Sequence, residues 1–525
     1  MNLTTPAAAN APSFFGRTAK TVLPPSGPPG RETPLRWRRR SLFPLVVFTL
    51  FGAVRAAEAD DGPILQFGDR KQLLVDDHVI AGKHQLAHRL GHPTKMNGGR
   101  PVIVDDTTWE DFGVPMAGSV LREDGRFRIW YRAADSGQDS ATYCYAESRD
   151  GVRWVKPRLG LVEFDGSRAN NIYQVGRPQA YCPFVDPNEK DPRHKYKSAV
   201  GAAKGYGTTT ALAYSPDGLR WSYYDQGRPI TGRAADTINQ VLWDPYARVY
   251  RLYTRTDYGT GGGQGEIRGT RDMVNSWTEL RSRPGDWTIV REWCLGRESG
   301  RKDYEWTRQI YSLNGWIYEG VQFGLIWSLE RPGGSEEMDF FLATARRDDP
   351  WNLEWVYGDQ PFLPRGADGS FDAKWIQPAP TIVTWNDRHW IYYVGRPLSH
   401  SGRGNAQAPT GIGVATIPLD RFVSLTASGR MGWAVTRPFR VEGRELVVNL
   451  AAPNGELAVE VLDAEGDPIP GFSRVEALVL RQVDELRAAV RWKNRQDLSQ
   501  LVGRVVKLRF WLRQGSLYAF RIRGD

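Results

Sequence analysis

At several places along the chain a carboxylate stands beside amides, guanidinium groups and tryptophans, just ahead of an apolar, strand-like segment. Asp236 shares such a stretch with Thr237 and Asn239. Glu305 lies with Asp303, Trp306 and Arg308, and Asp372 lies with Lys374, Trp375 and Gln377. Trp109, Glu110 and Asp111 precede another segment, and Gln179 and Tyr181 hold the corresponding place in a stretch with no acid. Two outliers join them: Glu319, inside the apolar run Tyr318-Glu319-Gly320, and His400, in a loop after Arg396. Two carboxyl groups held in different protonation states can cleave a glycosidic bond. One protonates the leaving oxygen, while the other activates water or attacks the sugar. A neighbouring Arg or Lys keeps one acid ionised, burial raises the pKa of another, and a flat Trp ring can seat a sugar. On this reading Asp236, Glu305, Glu319 and Asp372 are the catalytic carboxylates. Asn239, Arg308 and His400 orient hydroxyls, and Trp306 and Trp375 stack on the substrate. Each of these residues also has a plain structural reading as loop cap, surface charge or packing ring, so only convergence on one place would single them out.

The elements that could bring them together are repeats. Three strand-like segments recur in the same order five times. The first set is apolar and ends in turn residues: Ser119-Val120-Leu121, Pro183 to Pro187, Val241 to Pro245, Ile310 to Asn314 and Ile382 to Asp387. The second is aromatic: Phe127 to Tyr131, Tyr196 to Val200, Tyr250 to Tyr253, Trp316 to Tyr318 and Trp390 to Val394. The third is Tyr143 to Ala146, Ala211 to Ala213, Glu266 to Arg268, Phe340 to Ala343 and Gly413 to Ala415. No such set buries both its faces alone, so radial stacking is expected: an all-β, five-bladed β-propeller over residues 60–428. The polar stretches then precede the five innermost strands and meet at the mouth of the central channel.

Ser148-Arg149-Asp150-Gly151-Val152-Arg153-Trp154 returns as Ser215-Pro216-Asp217-Gly218-Leu219-Arg220-Trp221, with weaker copies at Thr270-Arg271-Asp272 and Arg347-Asp348. Asp-Gly supplies a turn and the Trp packs beneath it, a fold element rather than a site. Asp76-Asp77 is likewise read as structural. After Leu425 the register changes, and alternating segments with turns such as Asn454-Gly455 predict a C-terminal β-sandwich over 429–525.

The formal charge of +9 does not predict a nucleic-acid partner. Most of the excess sits in residues 1–59, which hold eight Arg or Lys and two acids. That stretch reads as a disordered N-terminus followed by a secretory signal: Arg36 to Arg40, an apolar run from Ser41 to Val54, and Ala57-x-Ala59 for cleavage before Asp60. The run falls short of the roughly 20 residues that span a bilayer, so an uncleaved anchor is the lesser alternative. Arg39-Arg40 loosely matches a twin-arginine signal, and an ordinary secretion signal fits better. A secreted or periplasmic monomer with carbohydrate as its partner is expected. Cys144, Cys182 and Cys294 form no ligand cluster, so no zinc and no cofactor is expected; a calcium ion in the channel and one disulfide both remain open.

Five three-strand repeats followed by a sandwich resemble the five-bladed propeller glycoside hydrolases, the broad group of invertase-like, levansucrase-like and arabinanase-like enzymes. Leu74-Val75-Asp76-Asp77-His78-Val79-Ile80, Trp154-Val155-Lys156-Pro157 and the stretch Gly413 to Leu425 look like an exported bacterial branch related to them. The resemblance implies an Asp on the first inner strand, a second Asp stabilising the transition state, and a Glu as acid. Here Met116 to Val120 holds no Asp, Asp111 lies before it, and Asp186 lies at the far end of its segment. The familiar triad does not carry over. A hydrolase, a glycan-binding propeller without catalysis, and a structural or protein-binding propeller are therefore all kept.

Overall fold

The strand-like repeats form antiparallel meanders. A computed structural model describes residues 63–524 except 111–112, 115, 134–140, 233–236, 258–267, 278, 297–299, 301–302, 304–306, 332–334, 401 and 403–409. The leader at 1–59 lies outside the described residues, which belong to one compact unit, Asp60–Asp525. The fold is all-β. Meander one runs Met116–Glu123, Arg126–Ala133, Thr142–Ser148. Meander two runs Phe184–Val185, Tyr196–Gly201, Thr210–Ser215, Ser222–Tyr223. Meander three runs Gln240–Asp244, Val249–Asp257, Arg268–Asn275, Thr288–Trp293. Meander four is Arg308–Tyr318, Val321–Glu330, Glu337–Ala345, and meander five is Trp375–Trp385, Arg388–Arg396, Gly411–Pro418.

Both faces of these sheets are buried, which explains the near-continuous apolar and aromatic runs. Along Arg126–Ala133, Phe127, Ile129 and Tyr131 face meander five, packing with Val383, Trp390 and Tyr392. Trp130, on the opposite face, packs with Tyr196 of meander two. Separate cores join two to three through Leu212 and Leu252, three to four through Tyr253 and Phe341, and four to five through Phe340 and Tyr393. With the core between five and one, the ring closes. At the join, Val120 N–H donates to Thr381 Oγ1 at 2.7 Å and Thr381 Oγ1 returns a bond to Val120 O at 2.9 Å. The outer edge of meander five is completed by Thr94–Lys95 and Ile103–Val104, far earlier in the chain.

Two expected boundaries differ. Trp316 to Tyr318 is not a second strand. Arg308–Tyr318 continues through Asn314-Gly315, because Gly315 lies under the Tyr253 ring, where a Cβ would come within 2.1 Å of it. The turn follows at Glu319-Gly320, both with positive φ (51° and 77°), the geometry that matches hairpin twist. The C-terminal region is one continuous ten-stranded sheet. Its 18-residue strand Glu445–Leu462 runs straight through Asn454-Gly455 and pairs with Leu480–Ala489, Val505–Arg513 and Gly515–Arg523. It also takes Gln72–Leu73, Ile80–His84, Ala87–Leu90 and Val423–Ala427, segments that the division at 428 placed with the repeats. Asp76 and Asp77 are structural, paired with Arg346 and Lys83. Cys144, Cys182 and Cys294 are buried and are not joined by a disulfide. No helix among the described residues is long and apolar enough to cross a membrane.

The Asp-Gly turns dock neighbouring meanders. Asp217 Oδ1 accepts the Leu219 and Arg220 amides at 2.9 Å, and Trp221 Nε1 donates to Gly218 O at 2.9 Å. That carbonyl also accepts Trp130 Nε1 of meander one, at 2.7 Å. One step round the ring, Gly151 O takes the Tyr392 hydroxyl of meander five at 2.9 Å. Gly218 has φ +79°, and a Cβ there would lie 2.8 Å from the Trp130 ring. The Gly218→Ala variant should lose at least about 1–2 kcal/mol from the left-handed backbone alone, read as a lower denaturant midpoint.

Between the ring and the C-terminal sheet, Asp420 takes Lys71 Nζ and the Tyr318 hydroxyl, each at 2.6 Å, and its amide donates to His389 Nε2 at 3.0 Å. Burial, aided by Lys71, pulls the His389 pKa down to about 3. Its usual value is 6.5, so below that pH the unfolded chain binds a proton that the folded chain refuses. Stability should fall as pH drops from 6.5 toward 3, by up to about 1.4 kcal/mol per unit from this group. Urea midpoints against pH should show a shallower fall in His389→Gln.

Candidate functional site

Residues on or next to the first strands of meanders one, two, three and five meet the second strand of meander four in one apolar plug. It contains Met116 of meander one, Cys182 of two, Ile238 of three, Trp327 of four and Trp375 of five, with Tyr181 and Tyr311 against it. This is the place to which the polar stretches were expected to point. What surrounds the plug is richer in guanidinium, hydroxyl and amide groups than in acids. Met116 pairs across the strand with Arg132, and Trp375 pairs in the same way with Arg396. Arg255 and Arg268 lie over the Tyr311 ring, 5.6 and 5.4 Å from its centroid.

Beside the plug, a cavity of about 260 Å³ opens between meanders one, two and three. Tyr181 stacks on Tyr143 at 5.8 Å and forms an aromatic wall. Thr208, Thr209, Thr237, Gln179 and Asn239 supply hydroxyls and amides to the lining. Asn239 is fixed there by accepting the Thr254 hydroxyl at 2.6 Å and donating to Thr237 O at 3.1 Å. Along the inner strands, the buried amides of Asn314 and Gln377 and the hydroxyls of Ser119 and Ser312 have no hydrogen-bond partner among the described residues. Polar groups so placed lose free energy unless something satisfies them.

The expected residues divide. Asp236, Glu305 and Trp306 lie outside the described residues. Asn239 lines the cavity. His400 stacks on Trp375 (5.7 Å, 4°) and its Nε2 sits 3.3 Å from the Tyr311 hydroxyl. Burial pulls its pKa down, against the opposing charge of Glu336. Trp375 is at the plug, but it is only 6% exposed; His400 and the Arg396 guanidinium, 4.8 Å from its centroid, cover the ring, so no open face is left for a sugar.

Three other expectations are corrected by position. Asp372 is 1% exposed and is held by Lys95 Nζ at 2.6 Å, Ser370 Oγ at 2.8 Å and Tyr393 OH at 3.1 Å. It fastens Thr94–Lys95 to meander five. Glu319 caps the hairpin at the opposite end of Arg308–Tyr318. Eight residues of extended strand, about 25 Å, separate it from Tyr311, and it accepts the Lys71 amide at 3.2 Å. Arg308 is spent on Glu330, Val356 O and Asp359 at 2.6–2.8 Å. Burial raises the pKa of its partner Glu330, with Arg308 opposing.

Sequence reasoning missed Arg132, Arg177 and Arg396. The signal was present. Arg132, Arg255, Arg331 and Arg396 each stand at or just beyond the end of the second strand in four of the five meanders. That pattern was hidden because polar residues were sought ahead of the first strands, and few after the second. Among the described residues, no group of three or more His, Cys, Asp or Glu could hold a metal ion.

Replacing Asp372 by Ala would strand the Lys95 ammonium. A loss of about 3 kcal/mol is expected, measurable as a lower Tm.

No protein-family model and no curated protein matches the chain. Similar solved structures include a thermostable family-43 glycoside hydrolase, at 15% identity, 60% of this chain, 95% of that chain and TM-score 0.39. The catalytic domain of a GH62 alpha-L-arabinofuranosidase from Coprinopsis cinerea matches at 13% identity, 63% and 96% coverage, and TM-score 0.36. An exo-inulinase from Aspergillus awamori matches at 11% identity, 83% and 99% coverage, and TM-score 0.35.

Proposed function

We propose that the ring is a five-bladed β-propeller with a C-terminal β-sandwich-like domain, and that the chain is an exported carbohydrate-active protein taking a glycan at the channel mouth. The observation that carries this reading is the cavity beside the plug. Its aromatic wall, threonine hydroxyls and fixed amides are what hydroxyl-rich, half-apolar sugar rings require. Hydrolysis is the chemistry favoured there. Asp236 immediately precedes Thr237 of the cavity, and Glu305 precedes the inner strand of the fourth blade. One would protonate the leaving oxygen and the other would act as base or nucleophile.

Glycan binding without catalysis is the second reading. It is favoured by the commitment of Asp372 and Glu319 elsewhere and by a cavity lining that contains no acid among the described residues. Release of reducing sugar from a panel of polysaccharides and aryl glycosides separates the two. Under the hydrolase reading, wild type turns over at least one substrate and the Asp236→Ala/Glu305→Ala double variant loses about 100-fold or more. Glycan affinity with no turnover on any substrate establishes the binding reading. Neither turnover nor affinity for any glycan removes both.

A further inference from the structure

Among the described residues, the cavity lining carries positive charge and no acid. Arg132 and Arg177 both line it. Arg132 has no hydrogen-bond or ion-pair partner among the described residues, and its Nε is buried and unsatisfied. Arg177 is tied to backbone, to Ala202 O and to Gly207 O at 3.2 Å, which orients the guanidinium without neutralising it. Both charges act on Tyr143 in the cavity wall: burial pushes its phenol up to about 12 while Arg132 and Arg177 oppose the rise. Elsewhere in the chain, buried arginines are paired, as Arg251 is with Asp244 and Arg308 is with Glu330. The space is built for these side chains. At Gly201 a Cβ would lie 2.8 Å from Gln179 Oε1 and 3.1 Å from an Arg177 guanidinium nitrogen. Gln179 itself adopts φ 64°, a backbone conformation that costs a non-glycine residue.

Arg132 is partly buried with its Nε enclosed, and Arg177 stands at the exposed rim. Two guanidinium groups facing one cavity with no carboxylate among the described lining residues suit an anion held through charge-assisted, bidentate bonds. We propose that this cavity is a subsite for an acidic sugar, one bearing a single anionic group, either a uronate carboxylate or a sulfate ester. Arg132 and Arg177 receive the anion, while Asn239, Gln179 and the threonines receive the hydroxyls. The inference rests on the reading that the mouth takes a glycan, and it names the class of glycan.

The test is calorimetric titration of the full chain with four probes: oligogalacturonate, its methyl ester, a sulfated galactan oligosaccharide and its desulfated form. An acidic member of either pair should bind at least about tenfold tighter than its neutral counterpart, as expected for charged hydrogen bonds, and the pair that discriminates identifies the anion. Arg132→Gln should abolish that preference. Gln179→Glu, which keeps size and adds opposing charge, should do the same, and an unchanged Tm in both variants excludes misfolding as the cause. Equal affinity for acidic and neutral members, unchanged in both variants, overturns the acidic subsite and leaves the glycan reading standing. No binding of any of the four probes, alongside affinity for other glycans, also overturns the acidic subsite. No affinity for any glycan overturns both.

Discussion

Closure of the ring is the constraint on which the rest depends. A meander with two apolar faces is stable only between two neighbours, so the first and last must meet. They meet through reciprocal bonds between Val120 and Thr381, through the core of Phe127, Trp390 and Tyr392, and through an edge lent by Thr94–Lys95. The plug follows from closure. Five inner strands around one axis leave so little room that Gly118 has no space for a Cβ, which would lie 1.8 Å from Tyr181 O. With the centre filled by Met116, Ile238 and Trp375, the usable space moves off the axis, into the cavity between three blades.

Much of the architecture was legible because its physics is local. Apolar first segments, Asp-Gly turns and aromatic second strands are written in short windows, and four of the five second strands fall where the pattern put them. The failures have one cause. Asn314-Gly315 and Asn454-Gly455 are turn sequences by local chemistry, yet tertiary contacts keep both extended: at Gly315 the Tyr253 ring, and at Gly455 the Arg513 carbonyl, occupies the space that a side chain would need. The N-terminal strands at 72–104 were illegible for a related reason, since their partners lie more than 300 residues away.

The site was legible in place but less so in chemistry. Asn239, ahead of an inner strand, lines the cavity, and Trp375 and the loop residue His400 stack together at the plug. Proximity to an inner strand could not show that Asp372 would be consumed by Lys95 and Tyr393, or Arg308 by Glu330 and Asp359, because those partners come from other strands or other blades. Residue type alone does not separate a reactive carboxylate from a structural one. The number of partners does, and the guanidinium groups of Arg132 and Arg396, beside the plug, have no hydrogen-bond or ion-pair partner among the described residues.

The pairing of Gln72 with Phe520 has a temporal consequence. Strands near the start of the folded unit hydrogen-bond to strands near its end, while the next segment along closes the last blade. A nascent chain can build the early meanders as they emerge, yet neither the C-terminal sheet nor the final blade has its full set of strands until both distant segments are in place. Contacts of such sequence separation fold slowly and leave sheet edges exposed meanwhile. The ring has all its strands once residue 418 is made, whereas a chain arrested shortly before residue 515 would hold its meanders beside an unfinished C-terminal sheet.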